Sequence, residues 1–153
     1  MKKVVIILSI ISIILIISVI VLLFNVKNDK KFIIPDIEKS VLSGIPNVDE
    51  EYKYNSMNVK DGYIISLAGK PKIINQKLYL YFTSLEENMV LFRLKVFYNG
   101  IEVGSTGLIE PGKYIESINL KEGKYSGKMT LKILGYENDT YQSAGTISLN
   151  LEV

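Results

Sequence analysis

The chain predicts an all-β fold, an antiparallel β-sandwich of about seven strands, set behind a single N-terminal transmembrane helix. Three observations carry this reading. Apolar and polar residues alternate with a period of two through most of residues 54–153, as half-buried strands require. Turn-forming pairs punctuate that alternation at intervals of roughly 8 to 12 residues, the spacing of a sandwich. Ahead of both, Val4 to Phe24 is a run of 21 residues without a charge.

At 1.5 Å rise per residue that run makes a helix of roughly 31 Å, matching the ~30 Å hydrocarbon core of a bilayer, where a helix satisfies its own backbone groups. Apart from Ser9, Ser12 and Ser18, every residue in it is Ile, Val, Leu or Phe, each favouring insertion by about 0.3–0.6 kcal/mol near the bilayer centre. Lys2 and Lys3 resemble the start of a signal peptide. The run is longer than the usual ~7–15 residues of such a peptide, however, and no small-x-small cleavage site follows it, so an uncleaved signal anchor is expected. A chain without cysteine cannot be a lipoprotein. Lys2, Lys3 and the α-amino group on one side nearly balance Lys27, Lys30 and Lys31 with Asp29 on the other. The shortness of the leading tail favours residues 1–3 in the cytoplasm and the C-terminal domain outside the cell, the alternative being an N-out anchor with a cytoplasmic domain. Residues 25–53 mix Asn, Lys, Asp, Pro35 and Pro46 without a sustained period and read as a stalk with an early strand, leaving 54–153 for one domain.

Within that domain, Asn55 to Val59 and Tyr63 to Leu67 form a first pair of strands. Leu78, Leu80 and Phe82 alternate with Tyr79, Tyr81 and Thr83, and Phe92, Leu94 and Val96 with Arg93 and Lys95. Asn99-Gly100 then supplies the two positive-φ positions of a type I′ hairpin leading into Ile101-Glu102-Val103. Pro111-Gly112 and Glu122-Gly123 bracket a strand holding Ile118 and Leu120. In the next strand Tyr125, Gly127, Met129, Leu131 and Ile133 face one way and Lys124, Ser126, Lys128, Thr130 and Lys132 the other. The last strand turns Ile147, Leu149, Leu151 and Val153 inward.

Composition excludes several functions. The formal charge of +2 is misleading, because the lysines of residues 1–31 against Asp29 supply +4 and leave 13 basic and 15 acidic groups in 32–153. So slightly acidic a domain lacks the basic footprint of a nucleic-acid binder, whereas the flanking lysines suit anionic lipid headgroups. With neither cysteine nor histidine there is no thiol nucleophile, thiolate metal site or imidazole base, and no cofactor is expected. The bias to Lys, Ile, Asn and Tyr, with Arg93 the only arginine, resembles proteins of AT-rich Gram-positive bacteria.

Leu120-Lys121-Glu122-Gly123-Lys124-Tyr125 resembles the tyrosine corner of immunoglobulin-like and fibronectin type III domains, a resemblance that implies an immunoglobulin-like sandwich and a structural role for Tyr125. More broadly, Tyr81 to Val153 is similar to a family of short signal-anchored envelope proteins of Gram-positive (Firmicutes) bacteria. The similarity rests on Leu108-Ile109-Glu110-Pro111-Gly112, Ile118-Asn119-Leu120, Gly123-Lys124-Tyr125 and the terminal Ile147 to Val153. Members commonly show an Asn-Pro pair where this chain has Leu85-Glu86-Glu87-Asn88. The resemblance implies an envelope β-sandwich and carries over no catalytic residue.

Five sets of residues are candidate sites. Tyr79 and Tyr81, outward-facing, could join Tyr98, Tyr136 or Tyr141 in an aromatic surface for a partner or sugar, although tyrosine also suits a strand for packing alone. Asp49-Glu50-Glu51, Glu86-Glu87 and Glu137-Asn138-Asp139 offer oxygen ligands for calcium if the loops converge, but none has EF-hand spacing and solvated loop charge is the simpler reading. Ser126 and Lys128 share a strand face without any sign that the lysine is buried enough to act as a base. Gly104-Ser105-Thr106-Gly107 lacks the lysine of a phosphate loop and reads as a turn or bulge. Asn138-Asp139-Thr140 matches a glycosylation acceptor, without meaning in a bacterial host. The function expected is non-enzymatic: a single-pass membrane protein presenting its sandwich outside the cell as an accessory or adaptor to another envelope protein or assembly, through loops, the tyrosine face or an open sheet edge available for strand addition. A module binding wall glycan or calcium through its loops is the alternative.

Overall fold

The computed structural model describes residues 11–20, 32–59 and 63–153. The chain forms two compact units, Met1–Ile33 and Ile34–Val153. In the first, residues 11–20 are helical, and the Ser18 hydroxyl donates to the Leu15 carbonyl at 2.8 Å, so the helix itself satisfies this polar group. Among the described residues no helix is long and apolar enough to cross a membrane. The remainder of the Val4 to Phe24 run lies outside the described residues.

The second unit is built from β1 (Leu42–Ser43), β2 (Tyr54–Asn58), β3 (Ile64–Ala68), β4 (Lys72–Ile74), β5 (Lys77–Ser84), β6 (Val90–Tyr98), β7 (Ile101–Ile109), β8 (Lys113–Asn119), β9 (Lys128–Glu137) and β10 (Ser143–Glu152), with a 3₁₀ turn at Glu50–Tyr52. The first sheet has the order β1-β8-β5-β3-β2, with β4 also paired to β5; the second has the order β10-β9-β6-β7. All these pairings are antiparallel. The inward alternation expected from sequence makes the core: Leu78, Leu80 and Phe82 of β5 meet Phe92, Leu94 and Val96 of β6, and Met129, Leu131 and Ile133 of β9 complete the layer. Phe82 and Phe92, both fully buried, meet edge to face with ring centroids 5.8 Å apart. Two sheets enclosing one such layer are a β-sandwich.

Residues 34–53, expected as a stalk, belong to the folded unit. Residues 36–38 run along β7, with Ile37 in a parallel bridge to Leu108. The chain then pairs with one side of the first sheet through β1 and reappears on the other side as β2, having buried Pro46 and Tyr52 on the way. Isolated apolar residues rather than an alternating run do this anchoring, so no periodicity announced it.

Turn chemistry fixes the register. Asn99 and Gly100 have φ of 50° and 78°, as a type I′ hairpin demands, and join Tyr98 directly to Ile101. Asn75 and Gln76 (φ 50° and 60°) make a second two-residue hairpin from β4 to β5 without glycine. Gly104-Ser105-Thr106-Gly107 lies within β7, where the register shifts between Arg93 and Lys95. There the Thr106 hydroxyl accepts the Leu94 N–H at 3.0 Å, so a side chain fills the gap in the ladder that the bulge opens.

Candidate functional site

The five tyrosines considered for an aromatic surface fall into three places. Tyr79 and Tyr81 lie together on β5, centroids 6.4 Å apart, but buried Tyr52 packs edge-on against Tyr81 at 5.0 Å. The segment between β1 and β2 thus covers part of that face. Tyr81 has φ 49° beside a bulge, a strained conformation for a bulky residue, and burial, then the proximity of Tyr52 and Glu116, pushes its hydroxyl pKa up. Tyr98, at the end of β6, stacks edge to face on Tyr125 at 5.4 Å. Tyr136 is buried with Leu91 and Leu108, and Tyr141 packs against that cluster. The Tyr125 hydroxyl donates to the Lys121 carbonyl at 2.7 Å, four residues upstream, with its ring lying against Gly123. That bond holds residues 121–125 in a corner, so β9 starts at Lys128 rather than at Lys124.

The acidic groups stay apart. Glu51 pairs with Lys72 at 2.5 Å, Glu86 and Glu87 sit in the β5–β6 loop, and Glu137 accepts a hydrogen bond from Thr140 in the β9–β10 loop. Among the described residues no group of three or more His, Cys, Asp or Glu stands together as a metal site. Ser126 lies outside β9 and Lys128 begins it; both are exposed. Their carbon frames are separated by Gly127 at φ 82°, which breaks the common face that simple alternation implied.

The structure draws a sharper contrast between the two edges of the second sheet. The edge at β7 is occupied. Leu108 donates to the Asp36 carbonyl and accepts from Glu38 N–H, each at 2.8 Å, while the Glu38 carboxylate takes the Gly107 N–H at 2.7 Å. Further along, Lys121 gives its backbone N–H to the Val103 carbonyl (2.8 Å) and its ammonium to the Glu102 carbonyl (2.9 Å). Burial, the largest single influence on Glu38, raises its pKa, but hydrogen bonds from Gly107, Ser40 and Lys39 outweigh it and leave the carboxyl below its ordinary value.

β10, at the opposite edge, pairs only with β9 among the described residues. Gly127 and Val153 exchange both backbone bonds at 2.9 Å, and the ladder is in register from Gly145 to Glu152. Alternation therefore turns the N–H and C=O groups of Thr146, Ser148 and Asn150 away from β9. Proteins usually blunt such an edge with proline, lysine, inward charges or a very short strand. β10 is ten residues long and bears its one charge at Glu152. Its inward side chains Ile147 and Leu149 remain half-buried, and the Tyr63 hydroxyl, ahead of β3, donates to the Ala144 carbonyl at 3.1 Å.

Comparison of the chain with protein families, curated proteins and solved structures finds no match. Sequence reasoning placed β10 and its inward residues but did not single out its edge, because edge or centre is decided by pairing partners far away in the chain. The signal available was the absence of Lys, Arg and Pro from Ser143 to Leu151. Asn88 was also passed over. Buried in the β5–β6 loop, it accepts the Ile64 N–H (2.9 Å) and donates to the Ile64 carbonyl (2.7 Å), in place of a strand neighbour.

Proposed function

We propose that this chain is a membrane-anchored, non-enzymatic interaction subunit of a cell-envelope assembly, presenting an immunoglobulin-like sandwich outside the cell and engaging protein by strand addition at β10. The observation that carries the reading is the contrast between a β7 edge closed by two segments of the chain and a long β10 edge, charged only at Glu152, to which no further strand pairs among the described residues and which Tyr63 touches only at the Ala144 carbonyl. In such β-augmentation the main chain supplies affinity and alternate side chains supply specificity. The anchor rests on the length and apolarity of Val4 to Phe24. The immunoglobulin-like reading draws support from strand order: with β3, β5, β6, β7, β8, β9 and β10 lettered A, B, C, C′, E, F and G, the sheets become ABE and C′CFG.

The test is cross-linking of the full-length chain in intact cells, followed by detergent extraction and identification of what copurifies. Recovery of the chain cross-linked to one protein in near-stoichiometric amount, a different protein or a second copy of itself, and lost when Ser148→Lys charges the edge, is expected. Recovery of wall glycan, or of no protein at all, refutes the reading.

A further inference from the structure

We infer that the strand added to β10 comes from a second copy of this chain, paired antiparallel about a two-fold axis through Ser148. The inference rests on the interaction role assigned to that edge and names its occupant.

Three features of β10 make it complementary to itself. The outward-directed backbone groups recur at Thr146, Ser148 and Asn150, so a two-fold at Ser148 matches donor to acceptor without slippage: Ser148 opposes itself and Thr146 opposes the second copy's Asn150. This centring also uses the stretch where the β9–β10 ladder is regular, Gly145 to Glu152. Second, no like charges meet. Glu152 lies opposite Ala144 of the other copy, and nothing charged stands between them. Facing charges are what normally veto homotypic edge pairing, and here a charge-free register exists, in which the Tyr63 hydroxyl that donates to the Ala144 carbonyl at 3.1 Å gives way to Glu152 at the margin of the pairing. Third, the same register sets Ile147 beside Leu149 of the second copy on the inner face. Those two side chains point into the core yet stay half-buried, and the added strand covers them. The product is one continuous eight-stranded sheet made from two four-stranded ones.

The chain has no cysteine, so engineered thiols report the register without background. In the two-fold register the Ser148 Cα atoms of the two copies stand about 5.5 Å apart, inside the range of about 4.4–6.8 Å that a disulfide spans. Full-length Ser148→Cys is therefore expected to give a disulfide-linked dimer under mild oxidation. Thr146→Cys and Asn150→Cys are each expected to stay unlinked alone, their own thiols lying about four residues or roughly 14 Å apart, but to link to each other when mixed. A parallel measurement needs no thiol: light scattering of the full-length parent gives a dimer, and Ser148→Lys, on an exposed side chain, abolishes it while keeping the parent's circular-dichroism spectrum and losing the concentration dependence of the melting temperature. Equal linking by every single-cysteine variant overturns the register. A monomeric parent with no linking by Ser148→Cys overturns the homotypic pair. Capture through Ser148→Cys of a different protein also overturns it but leaves the interaction role standing; capture of nothing removes both.

Discussion

Gly107→Ala tests how the segment before β1 is held to the sandwich. A Cβ built on Gly107 falls 2.5 Å from the Asp36 carbonyl oxygen, 2.8 Å from Glu38 N and 3.0 Å from Glu38 Cα. All three are backbone atoms, so no side-chain rotation relieves the clash, and residues 36–38 must leave β7. The departure removes two neutral bonds, each contributing about 1 kcal/mol, and the bond to the Glu38 carboxylate, contributing about 1.5–3 kcal/mol. Replacing glycine returns roughly 0.4–1 kcal/mol by restricting the unfolded chain. The net loss is about 2.5–4.5 kcal/mol. At about 4 °C per kcal/mol for a unit of this size, the melting temperature falls by roughly 10–18 °C. Circular dichroism measures the melt, and amide exchange at Glu38 and Leu108 shows whether the contact itself has opened. A variant that melts within 2 °C of the parent, with both amides as protected as before, would refute the view that backbone contact at Gly107 fastens this segment.

The other expectations concern the corner, acid stability and the core. Tyr125→Phe removes the 2.7 Å bond to Lys121 and should cost about 0.5–1.5 kcal/mol in urea unfolding, while Gly123→Ala, whose Cβ falls 2.9 Å from the Tyr125 ring and hydroxyl, should cost at least as much by moving the ring; stability equal to the parent in both would argue against the corner as a stabilising device. Glu38 is depressed as described above, and Glu102 is depressed by its hydrogen bond from Lys95, against burial and aided by the charges of Lys95, Arg93 and Lys121. For such groups the stabilisation is complete above an unfolded glutamate's pKa of ~4.3 and disappears as pH falls through the lower folded value, so Glu38→Gln should flatten the acid limb of a stability–pH profile; an unchanged limb contradicts the linkage. Phe82→Ala, at a fully buried ring, should cost about 3–5 kcal/mol, and a loss below 1 kcal/mol would mean the two sheets do not pack through this pair.

Much of the sandwich was legible because its strands carry their environment in their own residues. Met129, Leu131 and Ile133 alternate with Lys128, Thr130 and Lys132, and that pattern alone places one face in the core. The Asn99-Gly100 pair announced its hairpin for an equally local reason: few residues tolerate two consecutive positive φ angles. What stayed hidden depends on non-local geometry. β1 and β4, of two and three residues, are too short to show a period. The Asn75-Gln76 hairpin lacks the glycine by which such turns are recognised. Residues 34–53 dock through Ile37, Glu38, Pro46 and Tyr52, spaced too irregularly to read as an element. The candidate site was the least legible part. Five tyrosines could be named from strand alternation, but whether they share a surface depends on which strands are neighbours and on what crosses above them. Likewise, an edge strand and a central strand with the same inward residues look alike until their partners are known.

The fastening of residues 36–38 to β7 has a mechanical consequence. Tension applied at Asp36 loads two backbone bonds and one carboxylate bond to β7 before it reaches the pairing of β1 with β8. Under rising load these contacts yield ahead of the core, freeing the residues that precede β1 while leaving both sheets intact. The carboxylate share of that resistance depends on Glu38 remaining ionised, so acid softens the attachment before it weakens the fold.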